Sequence, residues 1–513
     1  MKLQKLEAEV LALYNELIAH ETEISNLTRH VHFNYLNSAA NLLHYLILRN
    51  HDLRTIHHEL SEHGISSLRS NESYVLKNVG DVLHLLRLLQ GNNEPTPQPK
   101  KAIGYINSQK RIASNAHRLL GHKHTHGNKS IMVTLPTEAA TDENIILELL
   151  KNGMNIARIN CSHDDEKTWQ KMIEQVKQSS ELLKTECKIY MDLPGPKIRT
   201  GSIKSSKKSE GIKLKDKDIL HLSAIVDSGR PAELSKKGKL KRPAVIGMTN
   251  GHIIKDLLPG DRVFFDDGII ETIVVEKTDN VAVLRVRVPG SDKLILKPEK
   301  GINMPDTKIN VPSLTKEDLK LIPFIVQHAD MIGYSFLRSP QCVEDLLVHL
   351  KNQPNENLGL ILKIENKDAF EKLPQILLKA MEYGNVGVMI ARGDLAVELG
   401  PIRLAEAQDE ILWICEAAHI PVIWATQVLE NLAKKGISSR AEITDAAKSA
   451  RADCVMLNKG PHIVLATKTL KDILKKMESH TKKKKSLMRP LNIAITNMQD
   501  LEKLQINDNF VLN

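Results

Sequence analysis

The sequence predicts an α/β protein: a TIM-type (β/α)8 barrel with a small β domain inserted into it and an N-terminal α-helical region. Three observations point there. Eight apolar, strand-like runs alternate with segments of helical period, three before residue 200 and five after 300. The stretch 201–300 between them loses the helical period and alternates apolar with polar instead. Six of the eight runs also end in polar or charged residues, in MNIARINCS, CKIYMDLPGPKIRTG, LILKIEN, VGVMIARGD, PVIWATQ and DCVMLNKGP. In a parallel barrel all strand C-termini meet at one mouth, where a site is assembled from residues far apart in sequence.

The expected organisation is a helical region over 1–92, a linker over 93–127, the barrel over 128–200 and 301–480, the inserted domain over 201–300, and a basic tail over 481–513. In the first region Leu3, Leu6, Val10, Leu13 and Leu17 follow helical spacing. A second set, Leu42, Leu43, Leu46, Leu53, Ile56 and Leu60, stops near Gly64, and a third, Val75 to Leu89, ends at Gly91. The many histidines there, and His122, His124 and His126 in the linker, read as ordinary surface or core residues rather than metal ligands. Proline and polar residues mark 92–127 as a linker. The first barrel strand is 130–135, and Thr141 is expected to cap the helix that follows it, with Asp142 and Glu143 favouring its N-terminus. In the inserted domain, Phe264-Phe265 and Ile269-Ile270 flank Asp266-Asp267-Gly268, a hairpin signal. The last helix runs from Pro461 to about Met477.

Composition narrows the class of function. The 513-residue chain carries a formal net charge of +9, concentrated in lysine runs such as Lys204 to Lys217 and 482–485. No nucleic-acid recognition motif accompanies them, so they read as solvated loops, and a mildly basic enzyme suits anionic substrates. The five cysteines are scattered and lack CxxC spacing, which argues for a reducing compartment and against a disulfide framework. The chain opens MKLQKLEAEV, without an apolar signal-peptide core, and no window reaches 18 uninterrupted apolar residues. A cytoplasmic protein without a membrane or nucleic-acid partner is expected, with homo-oligomers left open.

The strand ends carry the chemistry. Arg158, Asn160 and Ser162 are spaced i, i+2, i+4 and share a face if the strand reaches Ser162. A guanidinium suits bidentate phosphate binding, and Asn and Ser oxygens suit a hard cation or a phosphate. Lys363 and Glu365 share a face at i, i+2; inside an apolar strand such a pair is costly unless paired or used. Glu365 and Asp394 together can share one Mg²⁺. Gly393 lets backbone N–H groups approach a substrate carboxylate, and Thr426 ends the seventh strand. Two basic groups, two metal carboxylates and backbone donors suit phosphoryl transfer or enolate chemistry. No GxxxxGK[ST] loop and no protein-kinase motif set is present.

At this point the chain resembles the pyruvate kinase family. The matching segments are NGMNIARINCSH, DLPGPKIRTG, the Asp-Asp-Gly hairpin, KIEN, ARGDL, PVIWATQVLE, SSRAEITDAA and ADCVMLN, in the family's order over about 128–478. The resemblance implies that the inserted domain is a small β-barrel lid. It implies that Arg158 and Lys363 bind the phosphoryl group of phosphoenolpyruvate, that Glu365 and Asp394 hold Mg²⁺ or Mn²⁺, and that Gly393-Asp394 receives the substrate carboxylate. On the same resemblance Thr426 would lie on the face where enolpyruvate is protonated, Arg199 would help grip phosphates, and His163 would lie with Asn160 at the nucleotide edge. Asn160, Ser162 and Asp192 match the monovalent-cation ligands. The implied reaction converts phosphoenolpyruvate and ADP to pyruvate and ATP.

Four departures modify this. Lys197 stands where potassium-dependent members carry Glu, so K⁺ is not expected to be required; Leu193 and Pro194 replace the common Thr-Lys. The first strand ends VTLPTEA rather than CTIGPAS. The eighth ends Asn458-Lys459-Gly460-Pro461 rather than Ser-Gly-Glu-Thr, which puts proton delivery in question. No counterpart of the family's C-terminal effector domain is expected after the barrel. Two other readings stay open: a metal-dependent lyase or aldolase handling pyruvate enolate on the same barrel, and a non-catalytic binding or regulatory relative.

Overall fold

The computed structural model describes residues 2–500 apart from 66–67, 94, 97–98, 100–101, 122–128, 205–210, 238, 288–293, 310, 352, 354, 356 and 478–489. The linker histidines at 122, 124 and 126 and the 482–485 lysine run lie outside the described residues.

Eight parallel strands close into a barrel in simple sequential order. They are β1 (Ser130–Thr134), β2 (Ile156–Asn160), β3 (Lys188–Asp192), β4 (Met331–Tyr334), β5 (Gly359–Ile364), β6 (Val386–Ala391), β7 (Val422–Ala425) and β8 (Cys454–Leu457). Nearly every strand residue is buried, as strands covered by helices outside and by packed side chains inside must be. The interior holds Met132, Ile156, Tyr190, Met331, Ile361 and Met389 among others. Gly333 on β4 makes this packing fit, because a Cβ there would lie 2.0 Å from Tyr190 Oη. The helix after β1 spans Glu143–Lys151 and is capped by Asp142, whose carboxylate accepts from Asn144 N. Thr141, the expected cap, instead donates to Glu138 O at 3.2 Å; the Asp142 carboxylate, at the residue that immediately precedes the helix, reaches the free N–H groups.

Between β3 and β4 the chain forms a separate apolar core around a six-stranded mixed sheet with three two-stranded pieces. Its core takes in Ile198 and Met304 as well as residues between them. The expected hairpin is present: Phe265 pairs with Ile270, and Asp266, Asp267 and Gly268 all take positive φ. Among the described residues the sheet has two edges, Ala244–Gly247 and Ile302–Asn303, so closure into a small barrel is not shown.

The N-terminal helices include Lys2–Ala19, Leu36–Arg49 and Val75–Leu89, and their leucine stripes form one core continuous with the barrel's outer layer. The stretch read as a linker contains a further helix, Tyr105–Leu120. Its end drives Leu119 and Leu120 into the barrel interior at the N-terminal ends of the strands. Glycines admit them: a Cβ on Gly359 or Gly387 would lie 2.4 Å from a Leu119 methyl. Asn115 Nδ2 donates to His419 O at 2.8 Å, and the His419 ring lies 2.9 Å from Ser38 Oγ and 2.8 Å from Ser73 O.

Candidate active site

Asp192 ends β3 almost fully buried and organises the mouth. Its Oδ2 accepts from Arg158 Nη2 of β2 at 2.9 Å and lies 3.1 Å from Lys363 Nζ of β5. Burial pushes the Asp192 carboxyl upward, but the two cations outweigh it and hold the group below its ordinary value. Arg158 also donates to Thr134 Oγ1 of β1 at 2.8 Å. Lys363 Nζ lies 3.0 Å from Glu365 Oε1 and 2.7 Å from Ser335 Oγ, just beyond β4. Burial alone would discharge this lysine, yet Glu365 and Asp192 keep it charged above its usual range. Three strands, β2, β3 and β5 with its end, thus bring two cations and two carboxylates into one buried network, with the i, i+2 pair facing the same way as its spacing requires.

Glu365 Oε2 accepts from Phe336 N at 2.6 Å. Burial raises the Glu365 carboxyl; Lys363 opposes this and the Asp394 charge adds to it. Glu365 and Asp394 line one cavity of about 300 Å³ between the barrel and the stem of the inserted sheet. Two carboxylates lining one cavity fit a divalent cation, and Mg²⁺ commonly takes only one or two carboxylates with water and substrate oxygens. Among the described residues no cluster of three or more His, Cys, Asp or Glu side chains forms a fuller cage. Asp394 is already paired: Lys197 Nζ lies 3.1 and 3.3 Å from its two oxygens. Lys197 therefore stands with Asp394, and among the described residues no ion pair joins it to Asp192.

Asp394 and Gly393 occupy the first turn of helix Arg392–Leu399. Gly393 N donates to Thr426 Oγ1 at 2.7 Å, joining the ends of β6 and β7. The β7 end is strained: Thr426, Gln427 and Leu429 all have positive φ. Arg392 braces it, donating to Ala425 O and Thr426 O and to both oxygens of Asp445, with Trp424 under its guanidinium.

On the other side of the mouth, a cavity of about 280 Å³ is lined by Thr134, Arg158, Asn160, His163, Glu430 and Lys459. β2 stops at Asn160, whose Oδ1 accepts from Ser162 N at 3.1 Å; Ser162 lies in an exposed turn and does not continue the strand face. Burial, then Lys459 and Arg199, lower the His163 pKa and favour its neutral ring. Arg199 sits on the inserted domain's stem, its Nη1 donating to Glu299 O at 3.2 Å. The altered β8 loop makes its own contact, Asn458 Nδ2 to Glu430 Oε2 at 3.0 Å.

Thr134, Ser335, Phe336, Arg392 and Asp445 were not singled out from sequence. Ser335 had a usable signal, a polar residue closing the apolar run MIGYSF. Asp445 lies 53 residues from Arg392, and only the fold joins them.

The fold and mouth define a (β/α)8-barrel protein with an inserted β domain and a cluster of acidic and basic side chains at the strand C-termini. The family model for the pyruvate kinase barrel domain matches residues 126–461, more than half of the chain. The chain belongs to the pyruvate kinase family. It is 30% identical to a pyruvate kinase of Staphylococcus saprophyticus over 369 residues, covering 70% of this chain and 59% of that protein. It is 32% identical to pyruvate kinase PKLR of Rattus norvegicus over 342 residues, covering 64% and 55%. The chain thus spans less than two thirds of the length of these relatives. A crystal structure of a pyruvate kinase from Cryptosporidium parvum shares the fold, with a TM-score of 0.60, 24% identity and coverage of 72% of this chain and 71% of that one.

Proposed function

We propose that this protein is a pyruvate kinase, transferring the phosphoryl group of phosphoenolpyruvate to ADP to give pyruvate and ATP. The observation that carries this reading is the convergence of Arg158 and Lys363 on one oxygen of Asp192. It fixes two cations side by side at the mouth, where a phosphoryl group can be held without either losing its charge. Lys363 then stabilises the equatorial oxygens as the bond to the enolpyruvate oxygen breaks and the bond to ADP forms. The substrate carboxylate sits at the first turn of helix Arg392–Leu399, where backbone N–H groups lack intrahelical partners. Glu365 and Asp394 hold Mg²⁺ or Mn²⁺, which when bound supplies neutralising charge to the phosphoryl and carboxylate oxygens. Thr426 stands on the protonation face, its hydroxyl fixed by Gly393 N. Asn160, His163 and Arg199 border the nucleotide.

K⁺ is not required on this reading, because Lys197 adds an ammonium to the mouth. Asn160, Ser162 and Asp192 are the remaining candidates for a monovalent-cation site. The free thiols of the five cysteines support a reducing, cytoplasmic setting. No described helix is long and apolar enough to cross a membrane.

The test is formation of pyruvate and ATP from phosphoenolpyruvate and ADP with Mg²⁺, with and without K⁺. Turnover that needs Mg²⁺ but not K⁺ is expected. Folded protein without turnover, including with Mn²⁺, would overturn the activity; turnover seen only with K⁺ would overturn the Lys197 argument alone.

A further inference from the structure

The pairing of Lys197 with Asp394 is the feature the reaction does not explain. Both oxygens of Asp394 lie within 3.3 Å of its ammonium, and among the described residues no other Lys or Arg pairs with Asp394. Those are the oxygens a divalent cation needs. The same Nζ is 4.0 Å from Asp267 Oδ1 in the hairpin of the inserted sheet. It also lies 5.8 Å from the Phe336 ring, a residue whose N–H holds Glu365. Room for the lysine stem comes from Gly301: a Cβ there would lie 3.0 Å from Lys197 Cε. The ammonium therefore has two carboxylates within a small swing, one on the barrel and one on the inserted domain.

We propose that Lys197 is a resident counter-ion of Asp394 that an arriving divalent cation displaces toward Asp267, so that metal loading transfers an ion pair from the barrel to the inserted domain. This rests on the reading of Glu365 and Asp394 as the metal carboxylates. A divalent cation and an ammonium at one carboxylate repel each other, so metal binding works against the Lys197–Asp394 pair and gains from the Lys197–Asp267 pair. Asp267 is the more exposed partner, and its share of the effect is the smaller.

The experiment is Mn²⁺ titration of the full chain without substrates, followed by loss of the free-ion EPR signal. Wild type, Lys197→Met, Lys197→Arg and Asp267→Asn are compared, with circular dichroism to confirm folding; Lys197→Gln replaces the Met variant if that one does not fold. Removing the ammonium should tighten Mn²⁺ binding by roughly tenfold, and Arg should restore the wild-type affinity. Asp267→Asn should weaken binding by about two- to threefold. Equal affinity in wild type and Lys197→Met would overturn the counter-ion role while leaving the metal pair intact. Absence of Mn²⁺ binding in every folded variant would overturn the metal pair itself, and the counter-ion role with it.

Discussion

The two ends of the barrel are built from the same eight strands and solve opposite problems. At the C-terminal mouth, Arg158, Asp192, Lys363 and Glu365 are buried charges, tolerable only because each has an opposite partner within about 3 Å. At the N-terminal floor, Leu119 and Leu120 seal the interior with hydrocarbon, and Gly359 and Gly387 give way to them. Charge at the mouth is costly and chemically useful; apolar packing at the floor stabilises and does nothing chemical. Function and stability are therefore separable along one axis of the fold.

The sharpest way to break that contrast is Lys363→Met. It should lower turnover by about a thousandfold, measured by pyruvate formation, while circular dichroism shows a folded protein. Wild-type-like turnover would refute the role of the mouth. Leu119→Ala is the converse. It should cost about 2–5 kcal/mol in urea unfolding and leave kcat/KM of the folded enzyme near wild type. A large change in kcat would show that the floor reaches the chemistry.

A third test uses pH at the floor. Burial lowers the His419 pKa from 6.5 to about 4. As pH falls through that window the unfolded chain takes up a proton that the folded one refuses, so stability is lost on acidification and is unaffected above it. The loss should be about 2 kcal/mol at pH 5 relative to pH 7.5, and a His419→Gln variant should show a smaller difference in urea midpoint. The smallest effect is expected from Thr426→Val at the mouth. It removes the Gly393 hydrogen bond and should lower kcat by about tenfold with KM for phosphoenolpyruvate changed less.

Much of this was legible from sequence for a physical reason. Strands buried on both faces are continuous apolar runs, and a polar terminus after six of the eight is visible without knowing its neighbours. The Lys363–Glu365 pair follows from a two-residue period alone. The Lys197–Asp394 pair joins residues 197 positions apart and depends on how the inserted domain's stem leaves β3, which no local pattern encodes. Ser162 shares the strand face only if β2 continues to it, and β2 stops two residues short. Helix Tyr105–Leu120 was read as linker because its buried side includes Ser108 and Asn115, which blur the apolar stripe.

That helix also sets an order in time. Leu119 rests against glycines of β5 and β6, and Asn115 bonds to a carbonyl 304 residues further along. During synthesis its apolar tip leaves the ribosome long before the strands that will enclose it exist. The floor can close only when the second half of the barrel has been made, so until then the nascent chain carries leucines whose native partners on β5 and β6 do not yet exist.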